Sequence, residues 1–185
     1  MAGRSRRNAS EALMHRLATR ADEPALLALM ESAIAVLQQG FLDAGQIASS
    51  RAIMGLDTQL IEDGTYYVIE DGDAIVGCGG WSPRATAYGG NHSTRRDATM
   101  LNPRTEPARI RAMYTHPDHA RRGIGSMILR ICENAARQRG FGRVILVATL
   151  SGQPLYAARG YIEEERFTDD RGGAPVPLVR MSKTL

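Results

Sequence analysis

The spacing of apolar residues changes period several times along the chain. MHRLATR at 14–20 alternates like a short strand, and Asp22 with Pro24 then opens a helix. In that helix Leu26, Leu27, Met30, Ala33, Ile34 and Leu37 recur at helical spacing until Gly40 stops it, so one face packs on a sheet. A weaker helical pattern covers about 44–62. TYYVIEDGDAIVGCGGW, from Thr65 to Trp81, then presents two β-rich runs joined at Asp71-Gly72, a hairpin signal. Residues 82–108 are rich in turn formers and lack periodicity. A connection of that length is usually functional or mobile, and a lid is the form expected here.

Beyond Arg109 the pattern sharpens. RIRAMYTH at 109–116 reads as a strand and RVILVATL at 143–150 as a continuous apolar strand, with a loop and helix between them. That crossover makes the two strands parallel neighbours or near neighbours in one sheet. QPLYAARG is a short helix, and YIEEERF and VPLVRMSK form a closing antiparallel pair around Gly172-Gly173.

The helix between the parallel strands carries Ile124, Met127, Ile128, Ile131 and Ala135 on one apolar face. Packing by that face brings its first turn to the carboxyl end of the preceding strand. There the chain reads HARRGIGS, with Arg121, Arg122, Gly123 and Gly125 leading into the helix. The first N–H groups of a helix have no internal partner and carry partial positive charge, and the glycines let an anion approach closely. A phosphate or pyrophosphate site is one reading. A tight turn with solvated arginines is the other, and the local pattern leaves both open. A Walker loop is absent, and Ile128 stands where the dinucleotide fingerprint requires its third glycine.

Composition removes other classes. The chain has 185 residues, 43% of them hydrophobic, which suits one core and one domain at 13–185, preceded by a flexible basic leader at 1–12. No apolar run reaches membrane-spanning length and the start lacks a secretory signal, so a soluble cytoplasmic protein is expected. Net charge is +3, the arginines are scattered and aromatics make up 5%, against a nucleic-acid binder. Cys78 and Cys132 lack metal-type spacing and read as buried free thiols. His116, Asp118 and His119 resemble a partial metal set without a second ligand cluster, so no metal is expected.

The stretch from Arg109 to Tyr161 resembles the core of the GNAT superfamily of acyl-CoA-dependent N-acyltransferases. IRAMYTHPDHARRGIGS is similar to its fourth strand and pyrophosphate loop, and ATLSGQPLYAARGY to its fifth strand and following helix. LATRADEPALLALM resembles the opening strand and helix, and YYVIEDGDAIVGCGGW the central hairpin. The resemblance implies an α+β single-domain fold with a central mixed, mostly antiparallel sheet flanked by helices on both faces. The function it implies is N-acetyl transfer from acetyl-CoA to a primary amine of a small molecule or peptide, by direct attack in a ternary complex. A CoA-binding or regulatory module with little turnover is the alternative. Expected partners are acetyl-CoA and that amine, without nucleic acid, membrane or metal; a homodimer stays open.

The same resemblance implies roles for particular residues. Backbone N–H groups of Arg121, Arg122, Gly123, Ile124, Gly125 and Ser126 would hold the CoA pyrophosphate, and backbone groups of Met113, Tyr114 and Thr115 would pair with the pantetheine arm as an added strand. The Tyr114 N–H would be the oxyanion donor. Tyr156 would face the CoA sulfur and protonate the departing thiolate. Three positions depart from the family pattern: Ala120 and Arg121 in the loop, and Thr149, a further cofactor contact, where members often carry asparagine. Arg109 stands where some members place a glutamate base, leaving Glu106 or Glu70 to act through water. Trp81 lines the acceptor pocket or packs an edge. Arg109 and Arg111 share a strand face, which either favours an acidic acceptor or reflects structural salt bridges.

Overall fold

The computed structural model describes residues 12–94 and 96–185, so nearly all of the expected leader lies outside the described residues. Strand β1 is Met14–Leu17, shorter than the 14–20 expected. The Thr19 N–H and hydroxyl both donate to Asp22 Oδ2 (2.7 and 3.0 Å), which turns the chain into helix early. Helix α1 is Glu23–Leu37, with Pro24 in its first turn. Its buried face is Leu26, Leu29, Met30, Ala33 and Ile34, an i, i+3, i+4, i+7, i+8 stripe, whereas the expected Leu27 is 54% exposed.

The weak helical pattern at 44–62 resolves into two helices, α2 (Ala44–Ser50) and α3 (Thr58–Glu62). Gly55, at φ +141°, breaks the run, and side-chain caps restart it. Asp43 accepts from the Gln46 N–H at 2.8 Å and Asp57 from the Gln59 N–H at 3.1 Å. The expected hairpin is β2 (Tyr66–Asp71) and β3 (Ala74–Ser82), with Gly72 at φ +61° in the turn. The remaining elements are β4 (Ala108–Thr115), α4 (Ile124–Gln138), β5 (Arg143–Thr149), α5 (Gln153–Ala158), β6 (Ile162–Asp169) and β7 (Val176–Thr184).

One seven-stranded sheet has the order β1-β2-β3-β4-β5-β7-β6, and every adjacent pair is antiparallel except β4 with β5. Helix α4 covers one face over Ile69, Val76 and Ile110; α1 covers the other over Val68, Cys78 and Tyr114. On α4, Ile124, Ile128, Leu129, Cys132 and Ala136 are fully buried. Met127, Ile131 and Ala135 only flank the core, so the buried stripe is rotated from the expected one. Close seating of α4 depends on glycines in β3. A Cβ at Gly77 would lie 2.3 Å from Ile124 Cγ2, and one at Gly79 2.6 Å from Ile128 Cγ2. No helix among the described residues is long and apolar enough to cross a membrane.

The sheet splits between β4 and β5. They pair only at Ala108↔Val144 and Arg109↔Ile145, while β5 pairs with β7 along its whole length. Ala112 has φ +51°, and the β3–β4 register slips between Cys78 and Gly80, the mark of a bulge that bends β4 away. The Tyr66 hydroxyl donates to Ala112 O at 2.7 Å and fixes the kinked peptide.

The 82–108 connection has its own framework. Arg84 and Met100 form an isolated bridge, and Arg84 makes a two-point ion pair with Asp63 (2.7 and 2.8 Å). Thr86 Oγ1 donates to Asp97 O and accepts from its N–H, and Leu101 enters the core.

Candidate active site

The fork between β4 and β5 encloses a cavity of about 90 Å³. It brings together Met113, Tyr114, Thr149 and Tyr156 from the expected set, with Arg111 beside them. The turn Ile53–Gly55 and the segment Ala87–Gly89 close it, so the long connection supplies part of the wall.

Strand register decides which backbone groups face this fork. The His116 N–H donates to Val76 O at 2.9 Å, and Tyr114 pairs with Cys78. Since donors alternate along an antiparallel strand, the Tyr114 N–H turns toward β3, and the backbone groups of Met113 and Thr115 face β5. In this register the Tyr114 N–H, expected as the oxyanion donor, points toward the ladder with β3, and the Met113 N–H is the one turned toward the gap. The Tyr114 phenol is buried, accepts from the Gly55 N–H at 2.9 Å, and has its pKa raised by burial.

The loop before α4 has an open backbone. Arg121 at φ +66° and Gly123 at φ +83° both adopt the left-handed backbone. Met127 is the first residue whose N–H closes a helical bond, to Gly123 O at 3.0 Å. The six N–H groups from Arg121 to Ser126 have no protein acceptor among the described residues. The two glycines serve different ends. A Cβ at Gly123 would meet nothing within 4 Å, so its requirement is the left-handed backbone. One at Gly125 would lie 2.6 Å from Leu155 Cδ2, because α5 packs on this turn.

The cations divide as well. Arg122 is drawn to Asp71 on the hairpin at 2.7 Å. Arg159, at the end of α5, donates to Ser126 Oγ at 2.9 Å and brings a guanidinium to the first turn of α4. Sequence reading missed Arg159; its only signal was a basic residue in the AARGY that follows Tyr156.

Tyr156 is half-buried, its hydroxyl 3.9 Å from Met113 Sδ and its ring edge-on to Tyr161 with centroids 5.9 Å apart. Burial pushes its pKa up to about 12. Thr149 Oγ1 accepts from the Gly152 N–H at 3.2 Å and lies 3.1 Å from Ser151 Oγ, shaping the turn into α5.

Neither carboxylate considered as a base lines the fork. Glu70 is paired with Arg16 at 2.8 Å, and Glu106 accepts from the Asn102 N–H at 2.7 Å. Arg109 donates to Pro107 O at 2.8 Å, and burial lowers its pKa. Arg111 runs from the same strand face into an ion pair with Asp57 at 2.7 Å. Trp81 is 2% exposed and packs edge-on against Phe141, a core residue outside the fork lining. His116 and His119 stack edge to face, and no group of three potential metal ligands occurs among the described residues. Cys78 and Cys132 are buried free thiols.

Residues 28–161, more than half of the chain, match the Acetyltransferase (GNAT) family. The chain belongs to this family. It is an acyltransferase with the GNAT fold. The GCN5-related N-acetyltransferase from Rhodopseudomonas palustris is 20% identical over 96% of this chain and 97% of its own, with a TM-score of 0.67. PaiA N-acetyltransferase from Thermoplasma acidophilum, in complex with coenzyme A, is 13% identical over 94% and 99%, with a TM-score of 0.62. The yncA structure from Salmonella typhimurium with its cofactor acetyl-CoA is 18% identical over 95% of each chain, with a TM-score of 0.61. No curated protein matches the chain.

Proposed function

We propose that this acyltransferase moves the acetyl group of acetyl-CoA to a primary amine of a small molecule or peptide, by direct attack in a ternary complex. The observation that carries the reading is the row of six unpartnered N–H groups from Arg121 to Ser126 at the start of α4, on the side of the sheet where β4 and β5 separate. A pyrophosphate satisfies such donors, aided by the helix end and the Arg159 guanidinium. The yncA and PaiA structures, with acetyl-CoA and coenzyme A respectively, support the donor.

In this reading the pantetheine arm pairs with the backbone of Met113 and Thr115 as an added strand in the fork. The amine nitrogen attacks the thioester carbonyl, the Met113 N–H stabilises the developing oxyanion, and the C–S bond then breaks. Tyr156, a donor held protonated by its burial, gives its proton to the departing thiolate, and the proton shed by the new amide nitrogen passes through water to restore the phenol, so that amine and thioester become amide and thiol. Among the described residues no Asp, Glu or His lines the cavity, while Arg111 does, so the acceptor enters as the neutral amine or loses its proton to water.

That absence of a carboxylate also favours a second reading, a CoA-binding module with little turnover. Thiol release from acetyl-CoA with a panel of amines separates the two. Acceptor-dependent release supports transfer; acetyl-CoA binding without release supports the module. Saturating acetyl-CoA, at about 100 times its dissociation constant, stabilises the fold by about 2.7 kcal/mol if the loop binds it. A folded protein with no thermal shift overturns the donor assignment.

A further inference from the structure

A second cavity, of about 210 Å³, lies beside the fork and shares Arg111 with it. Its lining is polar and basic: Arg84, Arg96 and Arg111 with Asp57, Gln59 and Thr86. The charges within this lining do not balance. Arg84 is neutralised by Asp63, which leaves Arg96 and Arg111 to share the two oxygens of one buried carboxylate, Asp57. One positive charge is in surplus. Arg111 is 4% exposed, its Nη1 donates to Asp57 Oδ2 at 2.7 Å and its Nη2 to Gly89 O at 2.6 Å. Its Nε has no partner among the described residues. The Nε is enclosed, so what Arg111 and Arg96 bring to the cavity wall is surplus charge on buried and half-buried guanidiniums, a setting that suits an anionic ligand.

We propose that the amine acceptor carries a carboxylate, which Arg111 and Arg96 recognise in this second cavity while the amine reaches the fork. The inference rests on the acetyltransferase reading and names its acceptor class. Arg111 lines both spaces, so it links recognition of the anionic end to placement of the amine beside Met113. A guanidinium pair suits a planar carboxylate, whose two oxygens accept parallel N–H bonds. A neutral analogue leaves the surplus charge unpaired, and such sites discriminate more strongly than apolar contacts do.

The test is a series of ω-amino acids with one to five methylenes, each beside its own methyl amide, assayed for thiol release from acetyl-CoA. At least one carboxylate is expected to exceed its amide in kcat/KM by roughly tenfold or more. Arg96→Gln, at a partly exposed position, is expected to bring that ratio near one with acetyl-CoA affinity unchanged. Arg111→Lys keeps the charge but loses the two-point geometry, and is expected to give an intermediate ratio. In parallel, heat stability with saturating CoA is read with each compound, so that binding shows without turnover. Equal values for every carboxylate and its amide in both assays overturn the inference, as does a preference that survives Arg96→Gln. Those failures leave the acetyltransferase reading standing. Absence of any acetyl-CoA thermal shift overturns that reading instead.

Discussion

At the scale of single residues, Tyr156 and Gly123 carry the chemistry most directly. Tyr156→Phe keeps the ring against Tyr161 and removes only the hydroxyl, so folding and acetyl-CoA affinity are expected to hold while kcat falls about 10²-fold, the lower end for a general acid. Thiol-release kinetics check this, and the loss should lie in kcat rather than in KM for acetyl-CoA. Because burial raises the phenol to about 12, it stays protonated through pH 10, and wild type and variant should show the same pH profile up to there. A wild-type decline with an apparent pKa near 10, absent from the variant, would contradict that burial. Gly123→Asp is expected to fold, since its Cβ meets nothing and aspartate tolerates a left-handed backbone better than most residues. The carboxylate would stand where the pyrophosphate is placed, so the acetyl-CoA thermal shift should vanish.

At the scale of elements, legibility followed local chemistry. The hairpin at Gly72 and the helix start at Gly123 were readable because turn residues and periodicity carry their own signal. The break within 44–62 was not, because a Gly55 inside a weak amphipathic pattern looks tolerable until tertiary packing uses it. The bulge at Ala112 left no trace, since alanine is not a residue that marks a positive φ; only the register slip and the Tyr66 hydroxyl bond reveal it. Past that slip, the register turns the backbone N–H of Met113, and not that of Tyr114, toward the fork. The seating of α4 is testable through Gly79→Ala. Alanine in a strand ordinarily gains over glycine, but here its Cβ would lie 2.6 Å from Ile128 Cγ2, 2.8 Å from Met113 Cγ and 3.3 Å from Met113 Cα. A β-branched side chain and a backbone atom have little room to yield. A stability loss of about 1–3 kcal/mol in denaturant melts is expected, with kcat reduced in the surviving folded protein because Met113 is displaced.

At the scale of the whole molecule, the fork is bordered by an ion pair and a hydrogen bond that join remote segments, neither readable from sequence because their partners lie far apart. Arg111 and Asp57 join β4 to the start of α3 across 54 positions of chain. Tyr88 in the long connection donates to Asp169 Oδ2 at 2.8 Å, and Asp169 in turn holds Arg171, whose guanidinium lies 5.1 Å over the Tyr88 ring. This second network fastens the cavity wall at 87–89 to the end of β6. Arg171 keeps the Asp169 carboxyl at about 2, below the ordinary 3.8, in a nearly buried setting. The folded form therefore binds the proton less readily than the unfolded chain. The stabilisation is complete above about pH 4 and is lost as pH falls from there through 2. On the order of 2 kcal/mol is at stake by that linkage. Asp169→Asn removes the titrating group, so the variant should melt lower than wild type at pH 7, and the gap between them should narrow as pH drops from 4 to 2. Thermal melts across that range check it; a gap that stays constant would mean that Asp169 acts through packing and hydrogen bonding alone, not through its charge.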